Sequence, residues 1–290
     1  MILVTGATGP VGRLLIDSLL ARGAAVRALS RDPGAAALPA GVEVVAGDAA
    51  GEPSPLTGAL TDVTALFLHP RVVGARSDGL LALARERGVR RVVALSAMNV
   101  DDPLDEQPSR FAGDRNKEAE EAAMASGLAW SSLRASSFAG NTARAWGPQI
   151  RAGDVVRYPF AAFRESLLDE RDLAEVGARE LLRTDDDTGP AGRRLRLTGP
   201  LSLSHREAVD VLGQVLGRQL RYEEVPPEAA ARDMVRRGMP EPFVTALMAR
   251  YARHLDQPQH PATDDVQRVL GRPARGYATW AAHHADAFRA

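Results

Sequence analysis

Directly after its first residue the chain runs through a short apolar stretch, Ile2-Leu3-Val4-Thr5, into Gly6-Ala7-Thr8-Gly9-Pro10-Val11-Gly12, and from there into the helical pattern Val11–Arg22. Strand, glycine turn and helix N-terminus in that order constrain the fold more than any other feature. Glycines let such a turn close tightly and let backbone approach a ligand, while the helix N-terminus offers free N–H groups and the positive end of its dipole. The spacing is G-x-x-G-x-x-G, and glycine turns between strand and helix also serve packing alone. The strand–turn–helix context and the pattern that follows favour a cradle for the pyrophosphate of a dinucleotide.

That pattern is repeated alternation. Ala25–Leu29, Val42–Ala46, Ala65–Leu68, Arg91–Leu95 and Ala129–Leu133 read as strands, most of them continuous apolar runs suited to burial on both faces. Helical stretches lie between them; in Ser77–Arg87 the residues Leu80, Leu81, Leu83 and Ala84 form a stripe opposite Arg85, Glu86 and Arg87. The prediction is an α/β chain, a Rossmann-type doubly wound parallel sheet, spanning residues 1–200. Further along, Glu170–Leu182 reads as a helix and Leu195–Leu197 as a late strand, and Asp185-Asp186-Asp187 as a solvated loop. Ser204-His205-Arg206-Glu207 fits a capping box opening a helix through Leu216. Helices near Pro227–Arg237 and Pro242–His254 complete a small helix-rich C-terminal subdomain, residues 201–290, expected to cover the substrate with contributions from about 136–165.

Composition removes whole classes of chemistry. There is no cysteine, hence no disulfide, thiolate metal site, iron–sulfur cluster or thiol nucleophile. A formal net charge of −1 gives no electrostatic footprint for nucleic acid or anionic membrane. No apolar run reaches membrane-spanning length, and the chain starts directly as a strand, so a soluble cytoplasmic protein is expected. His283-His284 point in different directions from a helix and have no cluster at ligand spacing, so no metal is expected. Of 36 basic residues all are arginine except Lys117, the mark of a GC-rich coding sequence.

Beyond the glycine loop, Ser30-Arg31-Asp32-Pro33, Gly47-Asp48, Ser126-Gly127-Leu128-Ala129-Trp130 with Leu133-Arg134, Glu170-Arg171-Asp172-Leu173-Ala174 and Leu270-Gly271-Arg272-Pro273 carry a likeness over almost the whole length. With them the chain resembles the short-chain dehydrogenase/reductase superfamily, in its atypical NmrA-like branch, which includes quinone-reductase-like and triphenylmethane-reductase-like members. The resemblance implies that Gly6, Thr8, Gly9, Pro10, Val11 and Gly12 hold the cofactor. It also implies that Asp48 accepts from the adenine amino group, that Leu68, His69 and Pro70 lie along the ribose, and that Ser136, Ser137 and Phe138 pass near the nicotinamide. NAD-preferring sites usually end strand two in an acid. Here that place holds Ser30 and Arg31, and a guanidinium pairs with a ribose 2′-phosphate, so NADP(H) is the predicted cofactor. Asp32 is the competing acid, but it precedes Pro33 and reads as a turn residue.

Reductases of this superfamily use a serine or threonine after strand five, a tyrosine, and a lysine four residues beyond it on the same helix face. The ammonium lowers the phenol's pKa so that it donates to the carbonyl as hydride arrives. Ser96 ends strand five, and the next helix holds Asn116 and Lys117, either of which falls at the lysine's place. Four residues earlier stand Ala112 and Gly113. The tyrosines are Tyr158, Tyr222, Tyr251 and Tyr277. Catalytic candidates are therefore Ser96, Asn116 and Lys117, with Ser96 and Lys117 also facing cofactor. Trp146, Tyr158, Phe160 and Phe163 either wall a flat substrate or, one by one, pack the subdomain.

Without the tyrosine, something else must stabilise the charge left by hydride transfer. A quinone or a carbonyl beside a phenol lowers that demand. The expectation is an NADPH-dependent reductase of a small aromatic or quinonoid molecule, such as a ketoreductase in aromatic polyketide antibiotic biosynthesis. The alternatives are an NADP(H)-sensing regulatory protein without catalysis and, ranked last, a nucleotide-sugar epimerase. Oligomeric state is not readable from these residues.

Overall fold

The computed structural model describes residues 1–50, 54–73, 77–184, 192–255 and 261–289; the Asp185-Asp186-Asp187 stretch lies outside them. In chain order the strands are Ile2–Val4 (β1), Val26–Ser30 (β2), Val42–Ala46 (β3), Ala65–Leu68 (β4), Arg91–Ala97 (β5), Ala129–Ala135 (β6), Val155–Tyr158 (β7), Arg164–Glu165 (β8), Gly192–Leu197 (β9), Leu203–Ser204 (β10) and Arg221–Glu224 (β11). The helices are Pro10–Leu20 (α1), Pro70–Val73 (α2), Ser77–Glu86 (α3), Pro108–Phe111 (α4), Asn116–Ala125 (α5), Gly140–Ala152 (α6), Glu170–Leu182 (α7), His205–Leu216 (α8), Pro227–Arg236 (α9), Glu241–Arg253 (α10), Asp265–Leu270 (α11) and Tyr277–His283 (α12).

The chain divides into two compact units. The first comprises Met1–Val100, Gly113–Ala135 and Glu170–Arg196. Its sheet runs β3-β2-β1-β4-β5-β6-β9, and the strands from β3 to β6 pair in parallel throughout. This is the Rossmann-type doubly wound order. The apolar runs bury on both faces because helices cover both. On one side Leu80, Leu81 and Ala84 of α3 and Ala119, Ala122 and Ala123 of α5 pack with Leu3, Leu66, Leu68, Val92 and Ala94. On the other, α7 comes so close that a Cβ on Gly177 would stand 3.3 Å from Leu133 and 3.4 Å from Leu15 of α1. The sheet changes direction between β1 and β4, the switch point where a crevice opens outside the strand ends. The register Val4↔Phe67 sets the residues after both strands side by side there.

The second unit comprises Asp101–Ala112, Ser136–Asp169 and Leu197–Ala290. It thus takes in residues 101–112, 166–169 and 197–200, which lie outside the bounds expected from the sequence. It contains two small sheets, β10 with β8 and β11 with β7, neither of which the sequence pattern announces. Ser204 does form a capping box with Glu207, and Gly217 ends α8 in the left-handed region. Trp146, Tyr158, Phe160 and Phe163 belong to this unit's core, along with Leu212, Tyr251 and Trp280, so these aromatics pack the unit. His284 stacks on Trp280 while His283 is exposed. Among the described residues no helix is long and apolar enough to cross a membrane, and no cluster of three metal-ligating side chains occurs.

Candidate functional site

The site is built in the first unit, at the crevice between β1 and β4. Gly6 has φ +65, and a Cβ there would fall 2.8 Å from the His69 ring. A Cβ on Gly12 would meet the Gly6 carbonyl oxygen at 2.2 Å. Both glycines are therefore required by close approach within the turn. Gly9 is the N-cap of α1 and Pro10 opens it; no side chain caps this end and no acid stands in its first turn. The N–H groups of Val11 and Gly12 take no backbone acceptor outside the helix, so both remain to bind an anion at the positive end of the helix. Thr8 and Pro10 are exposed and Val11 is buried. A pyrophosphate fits this end of α1.

Arg31, just past the end of β2, is exposed and makes no ion pair among the described residues. The neighbouring Asp32 does not neutralise it. Asp32 Oδ1 accepts the Ala35 N–H at 3.2 Å, and the Ser30 hydroxyl is engaged with the Asp32 backbone at 2.9 and 3.1 Å. Asp32 thus serves its own turn, as its place before Pro33 indicated. Asp48 is exposed and accepts from Ala50 N–H at 3.0 Å. One further residue that sequence reasoning missed stands here. Arg13, on α1, donates from Nε to the Thr8 carbonyl (3.0 Å) and from its two terminal nitrogens to Ala37 (2.7 Å) and Ala36 (2.9 Å). The only signal was a cation close to a helix N-terminus, where the dipole disfavours it.

After β4, Leu68 and Pro70 are buried and the His69 backbone N–H donates to Thr5 Oγ1 at 2.9 Å. The His69 ring lies against Gly6, and its Nδ1 accepts the Arg71 N–H at 3.2 Å. Burial lowers the His69 pKa, outweighing the upward pull of Asp114, and Arg71 adds to the lowering. The ring is neutral, with Nε2 carrying the proton. Arg71 then forks onto Asp114 (2.9 and 3.2 Å), tying α2 to the segment that opens α5.

Asn116 and Lys117 are the first residues of α5: Asn116 is 7% exposed, and Lys117 is half-buried with no ion pair among the described residues. One turn on, the Glu120 carboxylate is buried where α5 meets β5 and β6. It accepts from Ser132 Oγ at 2.5 Å, from Arg134 at 2.6 Å and from Arg194 at 3.2 Å. Burial pushes its pKa up, but Arg134, Ser132 and the adjacent Ser96 hydroxyl more than offset this and hold it below the usual carboxylate range. Ser96 is paired in register with Arg134 and is 2% exposed; its hydroxyl has no partner of normal hydrogen-bond geometry and lies beside this carboxylate. Ser96 thus lies on β5 and Asn116 and Lys117 open α5, two elements packed on each other, with Ser96 beside the Glu120 carboxylate.

Ser136, Ser137 and Phe138 belong to the second unit. Ser136 Oγ donates to the Ser166 carbonyl at 2.6 Å, Ser137 Oγ donates to Glu165, and Phe138 bridges to Leu168. All four tyrosines are in this unit, and the first has none. Each phenol is buried and engaged: Tyr158 with Tyr251 at 3.3 Å, Tyr222 with the Pro159 carbonyl and Tyr277 with Thr142 Oγ1, both at 2.8 Å. Burial pushes the Tyr158 phenol up to about 12 and raises the other three.

Residues 6–160 match a family model described as NAD(P)H-binding. Over 290 residues the chain is 37% identical to the (4-alkanoyl-5-oxo-2,5-dihydrofuran-3-yl)methyl phosphate reductase of Streptomyces griseus subsp. griseus, covering 99% of each chain. It is 33% identical over 298 residues to the NAD(P)H azoreductase of Xenophilus azovorans, covering 100% of both. The NADPH-dependent quinone oxidoreductase of Escherichia coli, solved with NADPH, shares the fold with a TM-score of 0.81 at 23% identity, over 98% of this chain and 99% of that one.

Proposed function

The chain belongs to the NAD(P)H-binding family and is an NAD(P)H-dependent oxidoreductase; from that premise we propose that it prefers NADPH and reduces small conjugated acceptors, quinones and ring-conjugated ketones among them. One observation carries the reading: the unit that holds the cofactor cradle contains no tyrosine, and the turn before α5 offers glycine and alanine where a phenol would stand. An isolated ketone concentrates charge on one oxygen as hydride arrives and needs a strong donor. A conjugated acceptor spreads that charge and needs less. The named substrate of the Streptomyces relative carries a ring double bond conjugated with a carbonyl, and the Xenophilus relative is named for the azo group, another conjugated double bond. Tailoring of aromatic polyketide antibiotics is one setting that supplies acceptors of this class.

When bound, NADPH supplies the hydride. The chain's own residues do the rest. The free N–H groups of Val11 and Gly12 hold the pyrophosphate, and Arg31, which its acidic neighbour leaves unpaired, holds the 2′-phosphate with Ser30 beside it. Ser96, buried beside the Glu120 carboxylate, is not counted among the donors. Lys117 is the donor for the oxygen that gains charge, with Asn116 beside it at the start of α5. A regulatory, non-catalytic reading is set aside because the Streptomyces and Xenophilus relatives are both named as reductases.

The test is NADPH oxidation with naphthoquinones, polycyclic aromatic ketones, an acyl butenolide and an aliphatic ketone. Turnover of the conjugated compounds and not of the aliphatic ketone is expected. Faster turnover of the aliphatic ketone would refute the substrate class, and equal use of NADH would refute the cofactor preference.

A further inference from the structure

The loop after β2 is ordered by its own short contacts: Ser30 with Asp32, Asp32 with Ala35, and the Pro33 carbonyl with the Ala36 N–H at 3.3 Å. It ends at Ala37, which has φ +44, a left-handed conformation that an alanine adopts only when its surroundings impose it. The group that meets it is the Arg13 guanidinium. Arg13 takes the carbonyls of Ala36 and Ala37 with its two terminal nitrogens and reaches back with Nε to Thr8, inside the glycine turn. One planar guanidinium thus ties two loops together, and it does so with no carboxylate neutralising it among the described residues.

We propose that Arg13 is the positioning residue that sets cofactor preference, by holding the Arg31 loop at a fixed distance from the glycine turn. The proposal rests on the reading of the glycine turn as the pyrophosphate cradle and of Arg31 as the 2′-phosphate ligand. In an adenosine that carries both groups, the 5′- and 2′-phosphates are related through one rigid ribose. Discriminating such a molecule from its 2′-hydroxyl counterpart requires the two protein anion sites to keep a matching separation. Thr8 belongs to one site, and Ala36 and Ala37 close the loop that carries the other. A guanidinium with five N–H donors in a fixed fork can span three carbonyls; an ammonium cannot. Arg13 therefore acts through Arg31, by geometry.

The experiment measures binding of adenosine 2′,5′-bisphosphate and of adenosine 5′-monophosphate by calorimetry, with NADPH and NADH kinetics alongside. The proteins are wild type, Arg13→Met, Arg13→Lys, Arg31→Ala and the Arg13→Met/Arg31→Ala double variant. Arg13→Met should weaken the bisphosphate about tenfold, the loss of one charge-assisted contact, while the monophosphate changes less than about twofold. Arg13→Lys should behave like Arg13→Met, and the double variant should bind no worse than Arg31→Ala. Equal loss for both nucleotides, or no loss, overturns the proposal, as does wild-type behaviour of Arg13→Lys, which would make charge alone sufficient. Additive losses in the double variant overturn the coupling to Arg31. If Arg31→Ala leaves the ratio of the two affinities unchanged, the Arg31 reading fails and the route through Arg31 falls with it; if Arg31→Ala shifts the ratio and Arg13→Met does not, the Arg31 reading stands and only the Arg13 proposal falls. Arg13→Gln, which keeps a planar donor, replaces Arg13→Met should the latter melt early.

Discussion

Glu120→Gln tests the contact that anchors α5, whose first residues include the proposed donor. The Glu120 side chain is 4% exposed, and its two arginine partners are 14% (Arg134) and 46% (Arg194) exposed. Glutamine keeps the shape and one acceptor oxygen but removes the charge and turns an NH2 toward a guanidinium. Removing one partner of a buried ion pair costs about 3–5 kcal/mol. Because Arg194 is half in water and recovers hydration, the lower end applies, about 3 kcal/mol. With ~2.1 cal/mol/K of unfolding entropy per residue over a unit of roughly 150 residues, that lowers the melting temperature by about 10 °C. The effect depends on pH in a defined direction. Glu120 has a folded pKa below its ordinary value, so its stabilisation is complete above the unfolded carboxylate range and is lost as pH falls through the folded pKa. Thermal melts by circular dichroism from neutral to acid pH should show the gap between wild type and variant closing toward the acid end. Turnover should fall with it, because Asn116 and Lys117 sit one turn before Glu120 on the same helix. A gap that persists unchanged into acid, or no gap at neutral pH, would refute the reasoning.

Three further outcomes are expected. Gly12→Ala places a methyl 2.2 Å from the Gly6 carbonyl oxygen, so α1 must draw back and NADPH affinity should fall at least about tenfold by fluorescence titration; unaltered affinity would show that the cradle tolerates the displacement. His205, 3% exposed, has its pKa lowered by burial, outweighing the opposing pull of Glu165. The folded protein keeps it neutral while the unfolded chain protonates it, so stability should fall with a slope approaching ~1.4 kcal/mol per pH unit below about pH 6.5, and His205→Gln should flatten that slope in denaturant melts. Lys117→Met should reduce kcat with a quinone by about tenfold, less than the 10²–10³ typical of losing an oxyanion donor, because the acceptor delocalises its charge; a larger loss with a quinone than with an aromatic ketone would contradict this.

The parts of the fold legible in the sequence are those where burial and local pattern agree. Val42–Ala46, Ala65–Leu68, Glu170–Leu182 and the Ser204-capped α8 stand where periodicity and capping residues placed them. Helix α6 contains Gly140, Gly147 and Pro148, so propensity does not announce it. It forms because it buries Trp146 and Ile150 in the aromatic core, so tertiary packing overrides propensity. The pairs β7–β11 and β8–β10 join segments far apart in sequence, and runs such as Arg221–Glu224 are polar, so no alternation marks them. Of the proposed site, the glycine turn, Arg31 and the missing tyrosine are visible in the sequence itself. The roles of Arg13 and Glu120 are not, since each comes from backbone and side chains brought to it by folding.

The arginine bias of the chain weighs on the Arg31 assignment, and the structure supplies the counterweight. A chain whose basic residues are nearly all arginine will place guanidiniums at random surface positions, and each is then expected to pair with the nearest carboxylate. In the first unit many do: Arg27 with Glu43, Arg71 with Asp114, Arg134 and Arg194 with Glu120, Arg183 and Arg193 with Glu180. Arg31 has a carboxylate one residue away and does not pair with it, because Asp32 Oδ1 is bound to the Ala35 N–H and the Ser30 hydroxyl closes the same turn. That turn is in addition tied to the glycine loop by Arg13. The Arg31 charge is thus unpaired at the strand end where, on the proposed reading, a cofactor's 2′-phosphate would lie. Lys117 is distinguished by the same reasoning: its helix carries Glu118, Glu120 and Glu121, yet among the described residues it pairs with none of them. Arg22, Arg85 and Arg87 likewise lack a carboxylate partner among the described residues, so what distinguishes Arg31 and Lys117 is that lack together with their places, at the end of β2 and at the start of α5.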